Sequence, residues 1–370
     1  MTDFHQQQAV LKVIGLGGAG GNAVNRMAEM GLRDVELIAA NTDAQALQRS
    51  SAHVRIQLGA KLTTGLGAGG NPATGRLAAL ESKEELREVL HGSHLVFITA
   101  GMGGGTGTGA AAIAAQAAKD AHALTVGVVT KPFEFEGRIR AEQAEEGVKL
   151  LRECVDTLLI IPNDRLLGLG DKRLRTVDAF RKADDVLRQA VQSISDVITQ
   201  SGDINTDLND IRAVMTGAGQ ALIGIGEASG PDRAVEAARL AVSSPLLENV
   251  KVDGAEGLIV NIVGSRESMM MAEMEATMKF LQQAASHNAR IKVGHVYDDT
   301  LGDRLRVTVI ATGFPRQGAP RTGHTLGPLT SAVIPSARRP EPGRPAPAAP
   351  AQPDDLSKPA FMRWKLRKLR

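Results

Sequence analysis

The chain has 370 residues, of which 43% are hydrophobic and 23% charged, with a formal net charge of +2. That length accommodates about two domains of ordinary size, and the apolar fraction excludes a wholly disordered polypeptide. The single cysteine, Cys154, excludes an internal disulfide and a cysteine-based zinc centre; no run of about 18 apolar residues is present to cross a bilayer; and so few aromatic residues (3%) make a base-stacking surface for single-stranded nucleic acid unexpected.

Charge is distributed unevenly. Residues 315–370 hold 11 basic and 3 acidic side chains, whereas residues 1–314 hold 32 basic and 38 acidic. An acidic body therefore carries a basic tail. Residues 315–353 are rich in Pro, Ala, Gly and Arg without apolar periodicity, which predicts a disordered linker. Residues 1–10, MTDFHQQQAV, lack the basic start and apolar run of a signal peptide, and with the lone thiol this predicts a cytosolic setting.

In chain order, Val10–Ile14 reads as a strand, followed by a glycine turn and a helix near Asn22–Met30. Short apolar runs at Val35–Ala39, Leu95–Thr99, Leu124–Val129 and Thr157–Ile161 read as buried parallel strands, with helical patterns at Gly107–Ala121 and Arg138–Arg152 between them. This alternation predicts a doubly wound α/β domain that binds ligand at the carboxyl ends of its strands. A long amphipathic helix is expected over Thr176–Gln200. Beyond it, strands are expected at Ile211–Met215, Gly257–Val263, Ile291–Val296 and Leu305–Ala311, with helices at Pro231–Val242 and Ser268–Ala285. The long helix thus joins the first domain to a smaller α+β domain. The expected divisions are 9–175, 176–203 for the helix, 204–314, the linker 315–353 and a C-terminal peptide 354–370.

Three glycine segments carry the chemistry. In GLGGAGGN, residues 15–22, Gly15, Gly17 and Gly20 satisfy G-x-G-x-x-G between a strand and a helix, and Asp43 follows near the end of the next strand. Alone, this fits a dinucleotide fingerprint and an oxidoreductase. A second loop, GMGGGTGTG at 101–109, follows another strand, and a third glycine segment, GLGAGGNPATG, spans 65–75. Two phosphate loops on separate strand ends favour a polyphosphate cradled by backbone amides and helix N-termini. No Walker lysine motif is present, so neutralisation is left to amides, to hydroxyls such as Thr106 and Thr108, and to a Mg²⁺ ion. Phe180 and Asp184, four apart on the long helix, share a face.

The loop GGGTGTG at 103–109 resembles the signature of the tubulin/FtsZ superfamily. The resemblance extends to the FtsZ branch through GLGGAGGNAVNRM at 15–27, NTDAQAL at 41–47, GLGAGGNP at 65–72, TKPFEFEGRIR at 130–140, IPNDRLL at 161–167, INTDLNDIRAVM at 204–215, SSPLLE at 243–248 and LRVTVIATG at 305–313. It covers about residues 9–314 and implies a GTP-binding, GTP-hydrolysing protein that polymerises head to tail and scaffolds the division ring. It implies phosphate contacts at Gly17, Gly18, Gly104, Gly105, Thr106, Gly107 and Thr108, ribose contacts at Glu136 and Arg140, and guanine contacts at Asn22, Phe180 and Asp184. The shared face of the last pair suits this: the ring can lie against the base, and the carboxylate can accept from the N1–H and N2–H₂ edge of guanine, which adenine does not offer. Ala19, Gly20, Gly21, Asn41 and Asp43 complete the nucleotide set, with GTP or GDP and Mg²⁺ as the cofactors. It further implies that Asp207 and Asp210, assisted by Asn205, polarise the attacking water in the site of the next subunit. A capped helix start is the plainer reading of the D-x-x-D spacing.

The tail ends DDLSKPAFMRWKLRKLR. Pro359, Phe361, Met362 and Arg363 are similar to the family's terminal peptide, which docks on membrane tethers and division regulators at mid-cell. The acidic lead-in is altered to Leu356-Ser357-Lys358, and the interleaved basic and apolar residues suit contact with an anionic bilayer as a supplement. Two further readings stay open on the residues alone: the nicotinamide oxidoreductase, and a polymer subunit that holds nucleotide without hydrolysing it.

Overall fold

The computed structural model describes residues 9–167, 175–199, 207–247 and 254–314. Asn205, the linker and the C-terminal peptide with Pro359, Phe361, Met362 and Arg363 lie outside the described residues. The first part runs β1 (Leu11–Leu16), α1 (Gly17–Glu29), β2 (Val35–Asn41), α2 (Ala44–Gln48), β3 (Val54–Gln57), α3 (Ala60–Thr63), α4 (Pro72–Glu81), α5 (Lys83–Leu90), β4 (Leu95–Gly101), α6 (Thr106–Asp120), β5 (Leu124–Lys131), α7 (Arg138–Cys154), β6 (Thr157–Pro162) and α8 (Asn163–Leu167). The long helix α9 (Thr176–Thr199) follows. Then come α10 (Leu208–Met215), β7 (Gly219–Ser229), α11 (Arg233–Val242), β8 (Gly257–Gly264), α12 (Met271–Ala284), β9 (Arg290–Tyr297) and β10 (Arg304–Thr312).

The strands form one sheet in the order β3-β2-β1-β4-β5-β6-β7-β10-β8-β9. From β3 to β6 all pairs are parallel, and the order reverses direction between β1 and β4. At such a switch point the two following crossovers leave on opposite faces, opening a crevice at the strands' carboxyl ends. The pleat sorts side chains accordingly. Leu11, Val13, Leu37, Phe97 and Val126 join α1 and α9 in one core, while Ile14, Leu16, Ile38, Ile98 and Val129 pack beneath α4, α6 and α7 in another. Beyond β6 the sheet becomes mixed: β10 runs antiparallel to both β7 and β8, while β9 runs parallel to β8. The two regions meet where β6 pairs β7 over three residues, Thr157–Leu159 with Gly219–Ala221.

Two expectations on local structure are corrected. Ile211–Met215 is not a strand but most of α10. Leu208, Ile211 and Val214 recur at three-residue spacing, and the Asp207 carboxylate caps the helix by accepting the Asp210 N–H at 2.7 Å. The strand of this region is β7, eleven residues that sequence reading did not anticipate. The helix after the first glycine segment also starts earlier than Asn22. Gly15 and Leu16 end β1, and α1 begins at Gly17, so most of the glycine "loop" is the helix's own first turns.

Candidate functional site

Both strands at the switch point, β1 and β4, lead directly into glycine segments. The helices that follow them, α1 and α6, have no side-chain cap and no acidic residue in the first turn. Their free N–H groups and positive dipole ends make an anion site. The two starts are in backbone contact. Gly17 has φ +70°, and a Cβ there would stand 2.9 Å from the Gly107 nitrogen. Only glycine meets both conditions.

Within this cradle Gly18 and Ala19 are exposed, Gly21 and Gly104 are partly so, and Gly20, Gly105, Gly107, Thr106 and Thr108 are buried. The two threonines are already engaged. Thr106 shares a 2.7 Å hydrogen bond with Thr42, and the Thr108 hydroxyl oxygen accepts the Gly103 N–H at 2.8 Å. Thr108 thus braces the second loop, and it retains its own proton for donation. The third glycine segment serves mainly as a backing. Asn71 caps α4 by accepting from Ala73 N at 2.9 Å, and Gly75 of α4 lies against the Gly105 carbonyl.

At the end of β2, Asn41 is buried, and its Oδ1 accepts the Asp43 N–H at 3.3 Å. Asp43 in turn caps α2, with Oδ1 accepting from Gln45 N at 2.8 Å and Ala46 N at 3.1 Å. The rim after β5 is closed by Glu136 and Arg140. Arg140 donates to Glu136, whose other oxygen accepts the Phe133 N–H at 2.9 Å. The Arg140 guanidinium lies 3.9 Å from where a Gly104 Cβ would be, so this pair borders the second loop. Phe133 is fully buried, and its ring meets Phe180 edge to face at 5.3 Å between centroids. Phe180 itself is 41% exposed at the start of α9, and exposed Asn22 lies on α1, which packs against that helix.

One turn along α9, Asp184 is mostly withdrawn from water. Burial pushes its carboxyl up to about 7; the nearby Arg26 guanidinium opposes that rise, and the adjacent Asp185 carboxylate adds to it. A carboxyl held near its midpoint gains from donors aimed at its charged form, which the edge of guanine supplies.

Asp207 and Asp210 do not join this group. They open α10, on the far side of α9's 24 residues from Phe180. In the same helix Arg212 donates at 2.8 Å to the carbonyl of His94, the residue preceding β4, whereas the second glycine loop follows the opposite end of β4. The acid pair therefore lies at the amino ends of the strands and the glycine cradle at their carboxyl ends. Sequence reading missed Thr42, which pins Thr106, and Phe133, which backs Phe180. Both sit inside motifs whose composition was distinctive, NTD and PFEFEGR, but a hydroxyl pair and a ring pair formed across the fold leave no trace in spacing.

Comparison with known proteins agrees with this fold. The profile "Tubulin/FtsZ family, GTPase domain" matches residues 10–171, and "FtsZ family, C-terminal domain" matches residues 219–315. An empty FtsZ dimer from M. jannaschii superimposes with a TM-score of 0.81 at 42% identity, covering 84% of this chain and 89% of that one. A point mutant of the same FtsZ gives the same TM-score and identity, covering 84% of this chain and 92% of its own. CetZ2 from Haloferax volcanii, solved as a GTPγS-bound protofilament, shares the fold with a TM-score of 0.68 at 20% identity, covering 83% of this chain and 94% of that one. With a carboxyl-end glycine cradle, both domain profiles and 42% identity over most of its length, this chain belongs to the FtsZ branch of the tubulin/FtsZ family of GTPases.

Proposed function

We propose that this protein assembles head to tail with copies of itself and hydrolyses GTP at the joints, the acid pair of one subunit completing the glycine cradle of the next. The observation that carries the reading is the separation of the two halves. Phe180 and Asp184 stand at the start of α9, and Asp207 and Asp210 follow its end. At 1.5 Å per residue, the stretch of that helix from Asp184 or Phe180 to its end at Thr199 spans roughly 22–29 Å. A carboxylate so far from the cradle of its own chain reaches nucleotide only in a second copy placed end on.

In this reading Gly17, Gly18, Ala19, Gly20, Gly21, Gly104, Gly105, Thr106, Gly107 and Thr108 receive the phosphates. Glu136 and Arg140 bind the ribose, and Asn22, Phe180 and Asp184 bind guanine. Asp207 and Asp210 orient water in line with the γ-phosphate, with Asn205 assisting. Among the described residues no three His, Cys, Asp or Glu converge on a metal. A Mg²⁺ ion, when bound, would neutralise charge on the phosphates. Asn41 and Asp43 flank the phosphates, and Asp43 Oδ1 is already committed to two backbone amides. The polymer would serve cell division as the mid-cell ring, tethered to the membrane through Pro359, Phe361, Met362 and Arg363.

Turnover per subunit, measured against protein concentration, tests the shared site. It should rise steeply where light scattering with GTP reports polymer and be nearly absent below that point. Full turnover by dilute subunits would refute the reading.

A further inference from the structure

Strand β9 pairs with β8 at one edge of the sheet, Ile259 opposite Lys292. Its residues alternate in burial role. Ile291 and Val293 pack on the apolar core of the second region. On the other face Gly294 lies directly under Val197 of α9, and Val296 is buried. Lys292 stands on that second face, turned toward the α9–α10 corner, where period two calls for a small or apolar side chain. A lysine there is only 30% exposed.

Its ammonium pairs with the Asp210 carboxylate. Asp210 occupies the third position of α10, from which an acid ordinarily turns back to the N-cap amide and closes a capping box. Here the capping is one-way: Asp207 accepts the Asp210 N–H, and the Asp210 side chain reaches sideways to β9. On the same face of β9, Arg290 donates at 3.4 Å to the Ala213 carbonyl near the other end of α10. Two cations of one edge strand therefore hold both ends of the helix that begins with the acid pair. An inward lysine on an edge strand also deters edge-to-edge pairing. That role needs no carboxylate partner, and this lysine has one.

We propose that Lys292 is a positioning residue for GTP hydrolysis: it fixes the direction in which Asp210 presents its carboxylate to the neighbouring subunit's nucleotide. The ammonium takes Oδ1 and leaves Oδ2 for the attacking water. Without it, the side chain is free to fall back into the capping box, turned onto its own backbone. Nucleotide affinity is untouched, because the cradle lies at the other end of the protomer. The inference rests on the shared-site reading and narrows it to one contact.

The test uses the full chain with GTP and Mg²⁺. Turnover per polymerised subunit is measured at saturating GTP, nucleotide affinity on dilute protein with a fluorescent GTP analogue, and polymer mass by sedimentation. Lys292→Met should lower kcat by about tenfold or more, the scale expected when a reacting group is misplaced, with affinity and polymer mass unchanged. Lys292→Arg should restore most of the loss, since its charge still reaches Asp210. Parental or faster turnover by Lys292→Met overturns the inference, as does an arginine variant no better than the methionine one. A parallel fall in polymer mass overturns it too, because it marks a packing role. Asp210→Ala run alongside separates the two levels. If it loses turnover and Lys292→Met does not, only the lysine inference fails; if it keeps the parental rate, the shared-site reading fails first.

Discussion

With Asp184 on the base, as proposed above, guanine binding should be sensitive to pH within the physiological range. Its carboxyl titrates at about 7 in the free protein, chiefly because burial disfavours the charge. The edge of guanine donates two hydrogen bonds to the ionised form only, so binding lowers that value and releases a proton. The sign follows by linkage. Above the free-protein value the carboxylate is ready, and affinity is at its plateau. Below it, each pH unit costs up to tenfold, because the protonated fraction must be discharged before the base docks. Between about pH 8 and about pH 6 the affinity should weaken about tenfold, equivalent to about 1.4 kcal/mol. Isothermal titration or fluorescence anisotropy with GDP on dilute protein reads the change. The terminal phosphate of the nucleotide titrates nearby, and Asp184→Asn serves as the reference because it keeps that contribution and removes the carboxyl. The parent profile should be steeper than that of the variant by about the amount given. Parallel profiles for the two proteins would refute the assignment of Asp184 to the base.

The same carboxyl should register in stability. Its folded value lies above the unfolded one of about 3.9, so it destabilises the nucleotide-free fold increasingly as pH rises toward 7 and fully above it. Asp184→Asn should therefore raise the melting temperature at about pH 8 and leave it nearly unchanged at about pH 4 by scanning calorimetry. Asp210→Ala should keep GTP affinity while losing most phosphate release, and parental turnover would count against the shared site. Gly17→Ala forces a side chain into φ +70° against the Gly107 backbone. It should cost roughly 1–3 kcal/mol in urea unfolding and weaken nucleotide binding together. Phe180→Ala removes the exposed ring beside Phe133 and should weaken GTP binding by about 1–2 kcal/mol, read by the same anisotropy assay.

Five strands of the parallel region were legible in the sequence because they are short apolar runs punctuated by glycine, proline and charge; the edge strand β3, whose four residues VRIQ carry little apolar signal, and the helices α2–α5 were not. Nor was the segment after α9. Ile211–Met215 has the apolar content of a strand, and only the Asp207 cap and the spacing of Leu208, Ile211 and Val214 mark it as helix. β7 was hidden for the opposite reason. Gly224 and Gly226 dilute its apolar signal, yet they are there because α11 lies so close that a Cβ at either would stand 2.0 Å from the carbonyl of Ala241 or Ala237. Glycine reads as a loop in one dimension and as tight helix-on-sheet packing in three. Of the proposed site, the glycine segments were read from the sequence itself, while Phe180 and Asp184 came with the family resemblance. The pairing of Lys292 with Asp210 could not be read there, since 82 residues separate them and nothing local connects a strand lysine to a helix start.

The bare first turns of α1 and α6 have a consequence for the protein before any chemistry begins. Asp43, Asn71 and Asp207 finish the starts of α2, α4 and α10 with their own side chains. The starts of α1 and α6 are left unfinished at the same spot, and in the proposed site the phosphates would supply what the polypeptide omits. Nucleotide is then a component of the native state, and its concentration in solution sets how firmly the central crossovers are held together. A preparation stripped of it should open first at β1–α1 and β4–α6, where amide hydrogen exchange would record the loss residue by residue.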